Sequence, residues 1–120
     1  MNSTVRKFID DLEIIDESKA AIVKSLYKLF FDLSSELDEK FIYGGIGIYA
    51  GNRLIGGVYV SKQHVSLIFS KGNELVDKYK VLLGTGKWRR QIVLIHFEDI
   101  LQKHCSYYIE QVIEIEKESR

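Results

Sequence analysis

Three cationic side chains, Lys87, Arg89 and Arg90, follow the glycine pair of Leu83-Gly84-Thr85-Gly86. Glycine adopts the positive backbone torsions that other residues avoid. Residues 84–90 can therefore turn several N–H groups inward beside three cations, which suits a phosphate or a carboxylate. The candidate anion site is Gly84, Thr85, Gly86, Lys87, Arg89 and Arg90. It is not a P-loop, because Trp88 stands where that motif needs Ser or Thr and a strand, not a helix, follows. A solvated tight turn whose arginines face water or acidic helices is the commoner use of such a cluster, and both readings stay open. Trp88 among cations resembles a platform for stacking a base, although packing beneath the loop is the simpler account.

Other reactive side chains do not assemble into a signature. His64, His96 and His104 are too scattered for metal-ligand spacing. His64 could act as an acid or base if a pocket forms on its strand face near Tyr59; His96 marks a strand end, and His104 borders a helical stripe. Ser66 and Ser70 belong to no nucleophile motif. Cys105 is the only cysteine, which excludes an intramolecular disulfide and a cysteine-pair metal site and reads as inert helix packing.

The elements that must position these residues follow from periodicity. Ser3 reads as the cap of a short amino-terminal docking helix, residues 1–15, with Val5, Phe8, Ile9 and Leu12 on one face. Asp16 caps a longer helix ending near Ser35, whose stripe runs from Ile22 through Val23, Leu26, Phe30 and Leu33 to Leu37. Strands are expected at 41–43, 46–50, 53–60, 63–70 and 91–96, with Gly51-Asn52 as a two-residue hairpin turn. Residues 72–80 read as a helical turn or irregular connection. Glu98 and Asp99 open a terminal helix with the stripe Leu101, Cys105, Tyr108, Val112 and Ile115. The economical assembly is an α+β two-layer sandwich: a mostly antiparallel five-stranded sheet with the helices on one face.

If Val58, Val60, Val65, Leu67 and Phe69 face the helices, the other face carries Tyr49, Ile55, Gly57, Tyr59, His64, Ile68, Val93 and Ile95. That is unusually apolar for a solvated sheet. A homodimer contact or a ligand is expected there, with scattered surface hydrophobes as the plain alternative.

The 120 residues, 46% hydrophobic, fit one domain with a real core. Charge is zero overall but segregated: 6 Lys/Arg against 9 Asp/Glu in residues 1–40, 8 against 2 in 41–96, and 3 against 6 in 97–120. Acidic helices packed near basic strand loops account for this pattern, and the balance argues against a nucleic-acid partner. No apolar run approaches a membrane span, and the first residues lack a signal peptide's apolar core. A cytoplasmic protein without a membrane partner is expected.

The order Glu39, Tyr43-Gly44, Gly51-Asn52-Arg53, Lys62-Gln63-His64-Val65-Ser66-Leu67, Lys71-Gly72-Asn73-Glu74-Leu75, Leu83-Gly84-Thr85-Gly86-Lys87 and Glu98-Asp99-Ile100 resembles the YdhG-like domain family, bacterial domains of unknown function. The resemblance covers residues 17–116. Gly45-Ile46 stands where the family places a hydrophobic residue and proline, and Val93 and Ile95 replace basic or polar residues.

The resemblance implies an α+β sandwich. Because some members have been likened to frataxin, it also implies, as an alternative, an iron chaperone. The matching carboxylates would be Asp10, Asp11, Glu13, Asp16, Glu17, Asp32, Glu36, Asp38 and Glu39, which could hold a hard cation only in a defined geometry. Three functions follow as expectations: a small non-enzymatic module binding an anionic ligand or partner, an iron chaperone, and an enzyme of unknown reaction on the outer sheet face. The first is preferred for its Gly-x-Gly with three cations, and the enzyme ranks last because no catalytic pair can be named.

Overall fold

The computed structural model describes residues 1–119. Helices α1 (Ser3–Ile15) and α2 (Glu17–Leu33) precede strands β1 (Leu37–Ile42), β2 (Gly45–Ala50), β3 (Arg53–Val60) and β4 (Val65–Phe69). A 3-10 turn at Gly72–Glu74 leads to β5 (Arg90–Leu94), then α3 (Asp99–Gln102) and α4 (Cys105–Glu118). The sheet is an antiparallel meander in the order β1-β2-β3-β4-β5, and the helices form a second layer on one face: an α+β two-layer sandwich.

Caps and apolar stripes fix the helix layer. Asn2, not Ser3, caps α1, its side-chain oxygen accepting from the Val5 amide at 2.8 Å. Val5, Ile9 and Leu12 are buried, and α1 packs on α2 and β1 of its own chain. Asp16 caps α2 through the Lys19 amide at 3.1 Å. That helix ends at Leu33, two residues before the expected end near Ser35, and Leu37 is the buried first residue of β1.

The terminal helix is broken. His104 takes a left-handed conformation, φ 55°, and separates the four residues of α3 from α4, so Leu101 is 82% exposed and lies off the stripe. The Asp99 carboxylate sets the preceding bend by accepting from the Ile95 and His96 amides at 2.8 and 2.9 Å. Burial alone would raise its pKa, but those bonds and Lys103 outweigh burial and hold it below the ordinary carboxylate range.

The inner sheet face bears Ile46, Ile48, Val58, Val65, Leu67, Phe69, Ile92 and Leu94, all buried in one cluster with Val23, Leu26, Phe30, Tyr108 and Ile109 from the helices. Each such side chain contributes about 1.5–3 kcal/mol of transfer free energy.

Two tight hairpin turns join β1 to β2 and β2 to β3. Gly51, φ 64°, is the first central residue of the turn closed by Ala50 and Arg53. Between Ile42 and Gly45, Tyr43 and Gly44 both have positive φ, 52° and 72°, as a type I′ turn requires. Only the second of these suits its residue.

Three sheet expectations are corrected. Between the pairs Ile48↔Gly56 and Tyr49↔Leu54 the register slips, leaving Ile55 as an extra residue on β3. This β-bulge reverses side-chain alternation, so Ile55 is 6% exposed on the α4 side, beside Phe69, Leu75 and Val112, and Leu54 takes the outer face. Ile95 lies beyond the end of β5, 58% exposed. His64 lies in the turn before β4, where its carbonyl accepts from the Ser61 amide at 2.9 Å.

Candidate functional site

The helix-free sheet face is paved with glycine. A Cβ on Gly45 would meet the Tyr59 ring at 2.7 Å, and one on Gly57 would meet the ring's far edge and hydroxyl at 2.8 Å. Gly45 is the cross-strand partner of Tyr59, and Gly57 precedes it by two on the same strand, so the ring lies along the sheet over both. Over Gly47 lie the end methyls of Ile42 and Leu54, at 2.9 and 3.0 Å from where a Cβ would sit. The apolar outer face is thus partly covered by its own side chains. Burial raises the pKa of the Tyr59 hydroxyl, with Tyr49 and Tyr43 adding to the rise and Arg89 opposing it.

The loop of residues 83–91 is closed by a two-bond bridge: the Leu83 and Gln91 amides each donate to the other's carbonyl, at 2.8 and 2.9 Å. Its three cations have different tasks. Arg90 latches the loop, Nη1 donating to the Gly86 and Arg89 carbonyls at 2.7 Å each, and its stem fills the space above Gly72, where a Cβ would come within 2.5 Å. Lys87 sits 5.0 Å from the half-exposed Trp88 ring centroid, a cation–π contact. Arg89 has no ion-pair partner among the described residues. Thr85 is exposed at the tip, and Gly84, φ 133°, lies against the Arg89 carbonyl.

Arg89 and Ile68 line both of two neighbouring open hollows, the two lobes of a trough. One lobe, about 250 Å³, lies among Tyr43, Leu54, Gly56, Tyr59 and Ser70. The other, about 260 Å³, lies among Leu83, Gly84, Gly86, Arg90 and Gln91. The basic loop and the apolar face, separate in the sequence, therefore share one surface at Arg89.

No protein-family model, curated protein or solved structure matches the chain.

A network behind the loop sets its position. The Tyr108 hydroxyl donates to Asp77 at 2.7 Å and accepts from the Tyr79 amide at 3.0 Å. Asp77 also receives the Val81 and Leu82 amides at 3.0 and 3.3 Å. Burial pushes the Asp77 pKa up, but the Tyr108 bond and the two amides bring it below the ordinary value. His104 stacks on Tyr79 with ring centroids 3.5 Å apart, clamping the same segment against the break between α3 and α4.

The carboxylates do not converge. Among the described residues no three His, Cys, Asp or Glu side chains group as metal ligands. Asp11 pairs with Lys7, Glu13 with Lys24 and Asp32 with Lys28. Asp16 is spent on its cap, and Glu39 accepts from the Tyr27 hydroxyl at 2.8 Å. Asp10, Glu17, Glu36 and Asp38 are exposed at separate places on α1, α2, the α2–β1 turn and β1.

Of the expected outer-face residues, Tyr59 and Ile68 line the trough, and Tyr49 and Val93 are half-buried beside it on β2 and β5. Ile55, His64 and Ile95 are elsewhere. Sequence reasoning missed Tyr43, Leu54 and Ser70; a Tyr-Gly pair between two apolar strands was the available signal for a turn placing Tyr43 at the rim. A roomier hollow, about 520 Å³, lies between α2 and α3, but Lys28 and Asp32 on its wall already pair.

Proposed function

We propose that this chain is a small, non-enzymatic, YdhG-like binding module of the bacterial cytoplasm that holds an anionic ligand or partner in the trough at Arg89. The observation carrying the reading is an exposed guanidinium without an ion-pair partner among the described residues, at the junction of a glycine-rich loop and an aromatic sheet surface. A cation so placed attracts an anion without first breaking an internal pair. Arg90 and the Leu83–Gln91 bridge hold the loop in place, so little ordering is left for the ligand to supply.

Residues brought together here provide a binding surface but no nucleophile with its base, which is why binding is preferred to catalysis. The iron-chaperone alternative draws less support, since its carboxylates are dispersed and largely engaged. A homodimer through Tyr49, Tyr59, Ile68 and Val93 would occupy the same face, and sedimentation velocity with and without ligand separates the two.

Titrating the 15N-labelled protein with inorganic phosphate tests the reading. The amides of residues 84–90 and Ile68 should shift saturably. Arg89→Ala should remove the response, and Lys87→Ala should preserve most of it. Shifts that survive Arg89→Ala, or that map to another surface, would overturn the assignment.

A further inference from the structure

The geometry points to a specific class of ligand for this trough: a small, planar aromatic ring carrying one anionic group, the ring laid on Tyr59 beside Tyr43 and the anion held by Arg89. The inference rests on the proposed binding function and adds the aromatic half of the ligand.

Three features support it, each independent of the cation. First, the glycines at 45 and 57 allow the Tyr59 ring to lie along the sheet. A ring so placed presents one face to the backbone and the other outward, and a flat aromatic on a sheet surface is a sequence-tolerant stacking platform.

Second, Tyr43 is 86% exposed and is held at positive φ. A bulky residue there costs free energy that Asn or Gly would avoid, and an exposed ring regains little of it by packing on its own chain. Backbone strain of this kind clusters at ligand clamps. Tyr43 lines the same lobe as Arg89 and Tyr59.

Third, the space suits a small molecule. The two lobes, about 250 and 260 Å³, each lie a little below the ordinary span of small-ligand clefts, roughly 300–1,000 Å³, so one suits a single ring and the other its anionic group. Ser70 lines one lobe and Gln91 the other as polar residues, Ile68 lines both, and Leu54 adds apolar surface to the first. A bare inorganic anion would leave the aromatic lobe unused, and a neutral ring would leave Arg89 unpaired.

The test compares probes by titration followed by NMR: phenyl phosphate, inorganic phosphate and phenol against the full chain. Phenyl phosphate should bind about tenfold or more tighter than either fragment, as one stacked ring implies. Benzoate and adenosine monophosphate, run beside it, separate an aryl acid from a nucleotide as the source of the shared chemistry; the tighter of them names it.

Tyr59→Leu, which keeps an apolar cover over the glycines, should erase the advantage of phenyl phosphate and leave inorganic phosphate binding unchanged. Tyr59→Phe should retain that advantage, which guards against a mere folding defect. Equal affinity for phenyl phosphate and inorganic phosphate, both lost in Arg89→Gln, would overturn the aromatic class and leave the anion site standing. Tight phenyl phosphate binding that ignores Tyr59→Leu would overturn the placement of the ring. Failure of every probe would overturn both the ligand class and the function it rests on.

Discussion

Replacing Tyr108 by Phe removes one oxygen from a wholly buried ring and tests how the segment before the basic loop is held. Two bonds are lost: the donation to Asp77 at 2.7 Å and the acceptance from the Tyr79 amide at 3.0 Å. A hydrogen bond to a charged group is worth about 1.5–3 kcal/mol, and an amide left without a partner costs about 1–3 kcal/mol. Asp77 is only half-buried, so water screens part of the first contribution. The expected loss is about 2 kcal/mol, or a fall in Tm of roughly 10 °C for a domain of this size.

The loss should depend on pH in a defined direction. Because the folded pKa of Asp77 lies below its ordinary value, its contribution is fully present above the unfolded pKa of about 3.9 and is lost as pH falls through the folded one. Tyr108→Phe removes a cause of that depression, so the stability gap between wild type and variant should narrow below pH 4. The Tyr108 hydroxyl, pushed up to about 12 by burial and by Asp77, stays protonated throughout. Urea unfolding at pH 7, 5 and 3 reads all of this. A loss under about 0.5 kcal/mol at pH 7, or a gap that widens on acidification, would mean that the Asp77–Tyr108 pair does not hold this segment.

The remaining expectations concern the paving, the strained turn and the buried thiol. Gly57→Ala places a methyl 2.4 Å from the Ile46 carbonyl and 2.8 Å from the Tyr59 ring, so chemical denaturation should show a loss of about 1–3 kcal/mol, the usual cost of overpacking. Tyr43→Asn, which accepts positive φ more readily, should raise unfolding stability by about 0.5–1 kcal/mol while weakening phenyl phosphate binding; a destabilised variant would mean that the ring packs on its own chain. Burial pushes the Cys105 thiol up to about 12. At pH 8 the folded protein should therefore leave a thiol reagent unconsumed over minutes, and the urea-unfolded chain should consume one equivalent.

The layers of this fold were legible in sequence because they rest on local signals. Asp16 before an apolar stripe, Gly51-Asn52 between strands, and the alternation Val65, Leu67, Phe69 each report on their own neighbourhood, and the structure places all three as their chemistry requires. The bulge at Ile55 was not legible: an extra residue looks like continued alternation until its partner strand is known, and it moved two side chains to opposite faces. Leu37 continues a helical spacing and still begins a strand, since sheet pairing with Ala50 outweighs local pattern.

The candidate site was legible only in halves. Gly84 to Arg90 announced a basic loop, but nothing in the order of three cations says that Arg90 bonds its own loop, that Lys87 rests by Trp88, or that Arg89 reaches the sheet. The strained Tyr43 could be placed only once the turn around it had closed, and the Asp77–Tyr108 contact spans 31 residues.

An intermolecular NOE experiment with phenyl phosphate bound to the full chain tests the trough at Arg89 most directly. Cross-peaks should run from the probe's ring protons to the Tyr59 ring and the Ile68 methyls, and should be lost in Arg89→Gln. Cross-peaks to Leu29, Phe97 and Leu101 in the hollow between α2 and α3, with none to Tyr59, would contradict this placement.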